Sequence, residues 1–264
     1  MKIIFFSDCH LEDHERDFEF PPGDILILAG DIFQVSDLRL ENEYSIIGSR
    51  VRRFIKSAIK VYDRVLHIPG NHEQYDSNIA ETQKIFDDFL KSENITRYTY
   101  ASKGAEKIDD VTFIYATLWT DIKKGNHVVV RANIMSDYKY ITINDTDGYE
   151  RKLNPYDTIS IHAEHKKFLE KQLSVSQGKV VVVTHHAPHM LSHIEESKSI
   201  SNFYYCCTDM EDCILDNPQI VYWIHGHLHT RHEYKIENTK IISNCRGYKS
   251  ERMSNTFTPQ EIEV

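Results

Sequence analysis

Five short polar islands punctuate this chain: Asp8-Cys9-His10, Gly30-Asp31, Gly70-Asn71-His72-Glu73, His185-His186 and Gly226-His227-Leu228-His229. Their polar side chains bind hard or borderline divalent cations through oxygen or imidazole nitrogen. Four of the five directly follow an apolar run rich in β-branched residues. A fold that brings the ends of several strands to one metal site accounts for both facts.

The remaining pattern suits such a fold. Strands are expected over Lys2–Ser7, Asp24–Ala29, Arg64–Ile68, Val111–Leu118, Lys179–Thr184 and Ile220–Ile224, with a hairpin of Tyr234–Ile236 and Lys240–Ser243 near the end. Helices are expected at about Asn42–Tyr62, Ile79–Lys91 (N-cap Asp76 or Ser77) and Ile161–Leu173, where apolar residues recur at helical spacing. Alternating strands and helices imply a layered α/β class. At 264 residues, a single domain over 1–264 is expected. The polar stretch at about 121–156 breaks the alternation and reads as a lid-like or solvated insertion. Its tyrosines Tyr138, Tyr140, Tyr149 and Tyr156 are candidates for stacking on a base.

Charge narrows the choice of ligand. A net charge of −9 and a pI near 5.9 disfavour extended nucleic acid. A small phosphate ester stays compatible, because two bound cations reverse the sign locally. Arg50, Arg52 and Arg53 read as the solvated face of a helix. Lys179–Thr184 and Asp24–Ala29, the longest apolar runs, are too short for a bilayer. The chain opens straight into a strand without signal-peptide features, so a cytoplasmic location is expected. Five cysteines without framework spacing fit reduced thiols there. Oligomeric state is not encoded in any of these features.

Each island has a chemical logic. Asp8 and His10 are two apart at a strand end, so alternation would turn both to one face and Cys9 away. His227 and His229 repeat that spacing. The carboxylate of Asp31 can bridge two cations with its two oxygens; Asn71 offers a neutral carbonyl oxygen. Of the adjacent pair, His185 is preferred to His186 because it continues the strand directly after Thr184. His14, His67, His127, His162, His165, His189, His193 and His232 read as structural, and His225 as a support behind the ligands.

The ordered set D-x-H, G-D, G-N-H-E, H and G-H-x-H resembles the calcineurin-like metallophosphoesterase superfamily, and spans Asp8 to His229. The close Ser243-Asn244-Cys245-Arg246-Gly247-Tyr248 is similar to the N-x-R-G-Y ending of a bacterial-type subgroup, which commonly carries Pro at the position of Cys245. The resemblance implies an α/β/β/α sandwich of two mixed sheets flanked by helices. It implies one metal on Asp8, His10 and His229, another on Asn71, His185 and His227, and Asp31 as the bridge. Manganese leads as the metal, with Fe, Zn, Co or Ni as alternatives. His72 stays unligated as the catalytic group facing the leaving oxygen. A hydroxide shared by the metals would attack phosphorus in line. The expected activity is hydrolysis of a small phosphate ester, with phosphodiesterase or nuclease specificity, or a non-catalytic scaffold, as the competing expectations.

Overall fold

The computed structural model describes residues 1–14, 18–39, 42, 44–126, 130, 135–193 and 204–264. In chain order its strands begin β1 (Lys2–Phe6), β2 (Ile25–Leu28), β3 (Arg64–His67), β4 (Ser77–Asn78), β5 (Tyr98–Tyr100), β6 (Lys103–Ile108) and β7 (Val111–Ala116). They continue β8 (Ile141–Asn144), β9 (Glu150–Lys152), β10 (Lys179–Thr184), β11 (Ile220–His225), β12 (Arg231–Ile236), β13 (Thr239–Asn244) and β14 (Gln260–Glu263). The main helices are α1 (Ile46–Val61), α2 (Ile79–Ser92), α3 (Pro155–Val175) and α4 (Glu211–Leu215).

Two mixed sheets face each other. The first has the order β14-β1-β2-β3-β5, parallel except for the antiparallel edge strand β14, and the second β12-β13-β11-β10-β7-β6, with a parallel centre and antiparallel edges at β12 and β6. Alternation along β1 shows how the layers form. Ile3 and Phe5 point inward to meet Phe113, Val181, Val183 and Ile224 of the other sheet. Ile4 and Phe6 point outward under Val51, Phe54 and Phe86 of α1 and α2. The outer face of the second sheet packs Val180, Val182 and Trp223 against Leu169, Leu173 and Ile214 of α3 and α4. Each such buried side chain is worth about 1.5–3 kcal/mol of transfer free energy. The result is the α/β/β/α layering the sequence implied.

Several local expectations shift. α1 starts later than Asn42, because Ser45 caps it by accepting from Gly48 N–H; Tyr44 stays outside and exposed. Asn78, rather than Asp76 or Ser77, caps α2. α3 begins six residues earlier than expected, at Pro155. Asn154 and Asp157 form a capping box there, with proline at the first turn. Arg50 and Arg52 are not solvated: they donate to the carbonyls of Leu11, Asp37 and Leu38.

The 121–156 segment is more than a loose surface excursion. β8 and β9 pair within it and attach to β4 as a third small sheet. Trp119, Ile122, Val130, Tyr138, Ile141 and Leu153 share a buried cluster with Tyr75 and Tyr205. Tyr138 is core, its hydroxyl on Thr158, whereas Tyr140, Tyr149 and Tyr156 are exposed. His127 lies outside the described residues. No helix among the described residues is long and apolar enough to cross a membrane.

Candidate metal centre

All five polar islands lie just beyond the carboxyl ends of parallel strands. Asp8-His10 follows β1, Asp31 follows β2, Asn71-His72 follows β3, His185 follows β10 and His227-His229 follows β11. Because β1, β2 and β3 are neighbours in one sheet and β10 and β11 in the other, the loops meet where the two sheets face. Backbone bonds zip them together: Asp8 N–H donates to the Gly30 carbonyl, His10 N–H to Asp31, and Gly226 N–H to His185.

Strand alternation is not what aims the ligand side chains. Asp8, His10, Asp31, His227 and His229 all have positive φ, between 43° and 71°. Such a backbone costs a non-glycine residue on the order of 1–3 kcal/mol and collects at functional sites. The shared direction of Asp8 and His10 thus comes from left-handed turns past the end of β1.

The side chains form two neighbouring groups. In one, His10 Nε2 lies 3.0 Å from His229 Nε2, and Asp8 Oδ1 is 3.5 Å from His229 Nε2. In the other, His185 Nε2 lies 3.1 Å from Asn71 Oδ1, 3.1 Å from His227 Nδ1 and 3.4 Å from Asp31 Oδ2. Asp31 also falls within 4.8 Å of ligand atoms on His10 and His72, so it touches both groups. His186 turns aside, contacting the Thr117 carbonyl and stacking on Trp119.

These spacings fit cations. Two imidazole nitrogens held at about 2.1 Å from one ion and about 90° apart sit about 3 Å from each other. The rear nitrogen of three candidate ligands is also tied down. His10 Nδ1–H donates to Glu12 at 3.1 Å, His229 Nδ1–H to Glu251 at 2.8 Å and His185 Nδ1–H to the Ala29 carbonyl at 2.9 Å. Each tie leaves Nε2 as the lone-pair nitrogen facing inward, the tautomer a metal needs. Asn71 is oriented likewise: its Nδ2 donates to Asp137 at 2.9 Å, leaving Oδ1 for the site.

Close approach requires glycine at two places. At Gly70 a Cβ would fall on the Asp31 carboxylate and 2.6 Å from His185 Nε2. Gly30, at φ +88°, would drive a Cβ into the His185 ring. Glu73, fully buried, clamps the two loops by accepting from the N–H groups of Asp31, Ile32 and Gly70.

His72 stands at the edge of the groups. Its N–H donates to Asp31 Oδ1 at 2.8 Å, Nδ1 lies 3.2 Å from Glu12 Oε1 and Nε2 3.1 Å from the Tyr248 hydroxyl. Burial disfavours its charged form, but Asp31 and Glu12 outweigh that and push it up to about 9. In the same way Asp31 outweighs the desolvation of His185 and pushes it up to about 10, while His185 holds Asp31 well below the usual carboxylate range despite burial. Cations bound among these groups would act in the opposite direction on both histidines. A cleft of about 350 Å³ opens beside His72, with Tyr75, Met135, Cys206 and Tyr248 among its walls.

The sequence left Glu12, Asp137, Glu251 and the position of Tyr248 without roles. Glu12 sits two residues past His10 and could have been suspected from that spacing. Asp137 carries no local signal, since it meets Asn71 across 66 residues. Of the histidines read as structural, three pack away from the cleft: His14 on the Gly247 carbonyl, His67 on Tyr98 and Glu73, and His162 on the Leu118 carbonyl. His225 contacts Ser192 and His232 behind the ligand loop.

The chain is similar to known proteins in sequence and in fold. An uncharacterized protein, L509, of Acanthamoeba polyphaga mimivirus is 28% identical over 286 aligned positions, covering 98% of this chain and 95% of that one. The fold resembles phosphopantetheinyl hydrolase from Mycobacterium tuberculosis, with a TM-score of 0.67, 14% identity and coverage of 99% and 95%. It also resembles a dimetal phosphatase from Danio rerio, with a TM-score of 0.52, 12% identity and coverage of 92% and 86%. The sequence profile of the calcineurin-like phosphoesterases matches residues 1–231, and the chain belongs to that family.

Proposed function

We propose that this protein is a binuclear metal-dependent hydrolase of small phosphate esters. The observation that carries the reading is the pair of ligand groups meeting at Asp31, each spaced for one cation, with Glu12 and Glu251 behind His10 and His229 in one and the Ala29 carbonyl and Asp137 behind His185 and Asn71 in the other. Asp8, His10 and His229 would hold one ion, Asn71, His185 and His227 the other, with Asp31 between them. The mixed oxygen and nitrogen donors suit Mn, Fe, Zn, Co or Ni, and we place Mn first. Two such ions would acidify water and neutralise charge on the phosphoryl group.

The chain's own groups supply the rest. His72 faces the cleft with Glu12 behind it, so an imidazolium there can donate to the departing oxygen. Tyr75 stacks on His72 at 4.2 Å and excludes water from that side. A cleft of about 350 Å³ favours a compact ester over an extended polymer. Five buried cysteines outside any disulfide fit a reducing compartment, which supports a cytoplasmic location.

The test is hydrolysis of p-nitrophenyl phosphate and bis-p-nitrophenyl phosphate by metal-stripped protein titrated with Mn²⁺ while bound metal is counted. Activity that rises as occupancy approaches two supports the reading, and the preferred ester separates monoesterase from diesterase. Two ions bound with neither ester cleaved would point to a narrow substrate or a scaffold. Failure to bind metal would overturn the proposal.

A further inference from the structure

Past the end of β13, the run Cys245-Arg246-Gly247-Tyr248 lies along the loop that follows β1. Arg246 N–H donates to the Ser7 carbonyl at 3.0 Å and Gly247 N–H to the Asp8 carbonyl at 2.9 Å. Gly247 has φ +80°, and a Cβ there would fall on the Glu251 carboxylate. This turn brings the half-buried Tyr248 into the wall of the metal cleft. Its ring centre lies 4.3 Å from that of His10 and 4.7 Å from that of His229. Its N–H donates to Glu251 Oε2 at 3.1 Å, the same oxygen that accepts from His229 Nδ1–H. One carboxylate oxygen thus fixes Tyr248 and a candidate ligand in a single frame.

Both nitrogens of His72 are engaged. Nδ1 meets Glu12 Oε1 at 3.2 Å, and because a carboxylate only accepts, Nδ1 carries a proton. Nε2 meets the Tyr248 hydroxyl at 3.1 Å. A second proton, on Nε2, therefore points at the phenol oxygen. A phenol both donates and accepts, and keeps its own proton near neutral pH. The Tyr248 hydroxyl can take a proton from Nε2 while giving its own to an oxygen in the cleft.

We propose that Tyr248 is a catalytic residue that hands the proton to the departing oxygen, with His72 and Glu12 as the relay behind it. This deepens the hydrolase reading and rests on it. As the bond between phosphorus and the leaving oxygen breaks, that oxygen takes the phenolic proton. The Tyr248 oxygen takes the Nε2 proton of the His72 imidazolium. His72 is left neutral, with Nδ1–H still on Glu12, and a proton from solvent restores it.

The test compares wild type and Tyr248→Phe, both loaded with Mn²⁺, on an alkyl phosphate and on p-nitrophenyl phosphate. The variant should lose about 10²–10⁴ in kcat on the alkyl ester and far less on the nitrophenyl ester, with both Mn²⁺ equivalents still bound. Retained or increased turnover of the alkyl ester, or equal losses on both, would overturn the relay. A second readout needs no ions. In ¹⁵N spectra of EDTA-treated protein the His72 Nε2 resonance, identified by its absence from His72→Ala, should move in Tyr248→Phe. An unmoved resonance would also overturn it. Wild-type protein that cleaves neither ester takes the relay down with the hydrolase reading, whereas a wild type that cleaves both, beside an unaffected variant, removes Tyr248 alone.

Discussion

Glu12 Oε1 lies 3.2 Å from His72 Nδ1 and, at the same time, 3.1 Å from His10 Nδ1. One carboxylate oxygen therefore fixes the tautomer of a candidate metal ligand and of the candidate acid. Burial alone would raise the Glu12 carboxyl, yet hydrogen bonds from the two imidazoles hold it down at about 2. It stays an acceptor across the working pH range.

Glu12→Ala should accordingly lower kcat about 10–100-fold, the usual effect of removing a support behind a metal ligand. His72→Ala should differ in kind: losses of about 10²–10⁴ on alkyl phosphates, whose leaving oxygen needs a proton, and small losses on nitrophenyl esters. Steady-state kinetics on the two ester classes, with metal content measured alongside, decides this. Equal losses of His72→Ala on both classes would argue against the acid role.

Asp31 touches both ligand groups, so its removal should not spare either. Asp31→Asn is expected to weaken both equivalents of Mn²⁺ in equilibrium dialysis, with activity lost in parallel. The variant also keeps the volume of the side chain, so the Gly70 contact is preserved. Two ions still held as tightly as in the wild type would remove Asp31 from the bridging position.

The raised histidines give the ion-free protein a defined pH dependence. His72 and His185 bind protons more tightly when folded, at about 9 and about 10, than the ordinary value of about 6.5 in an unfolded chain. Their contribution to stability is complete below about pH 6.5 and is lost as pH rises through about 9 and then 10. Thermal melting of EDTA-treated protein should therefore show a falling midpoint over that window. A cation must displace the His185 proton, so Mn²⁺ binding at pH 7.5 should release protons and tighten as pH rises. Calorimetry in buffers of different ionisation enthalpy reads the release directly; a release of zero would contradict it.

Much of this was legible because the decisive signals are local. β1, β2, β10 and β11 are near-continuous apolar runs, as strands buried on both faces must be. The ligands crowd into islands of two to four residues beside them. The edges were not legible: β6 and β14 are mostly polar strands at sheet borders, where one isoleucine each, Ile108 and Ile262, is too little to mark a strand. The start of α3 was hidden because its inward face carries Thr158, His162 and His165, which are buried through hydrogen bonds to Tyr138, Leu118 and the Leu118 N–H. Left-handed turns at Asp8 and His10 went unread too: Asp and His are enriched at positive φ, but most of them adopt ordinary backbone and nothing beside these two marks the exception.

Asp137 is the case where chain distance hid a partner most completely. Its Oδ1 accepts from Asn71 Nδ2 at 2.9 Å and from the Tyr75 hydroxyl at 2.8 Å, so the 121–156 segment reaches the metal centre through one buried oxygen. Without it the Asn71 amide can rotate and turn its nitrogen toward the site, where a cation is repelled. Asp137→Ala should weaken one Mn²⁺ equivalent about 10–100-fold and leave the other nearly unchanged. Stability should also fall by about 1–3 kcal/mol, because two buried donors lose their acceptor. Tyr75→Phe separates the two effects: it removes one donor but keeps the Asn71 bond, so both equivalents should bind as in the wild type. If Tyr75→Phe lost the same equivalent as Asp137→Ala, the defect would be general loosening of the cleft wall, and the orientation of Asn71 would not be its cause.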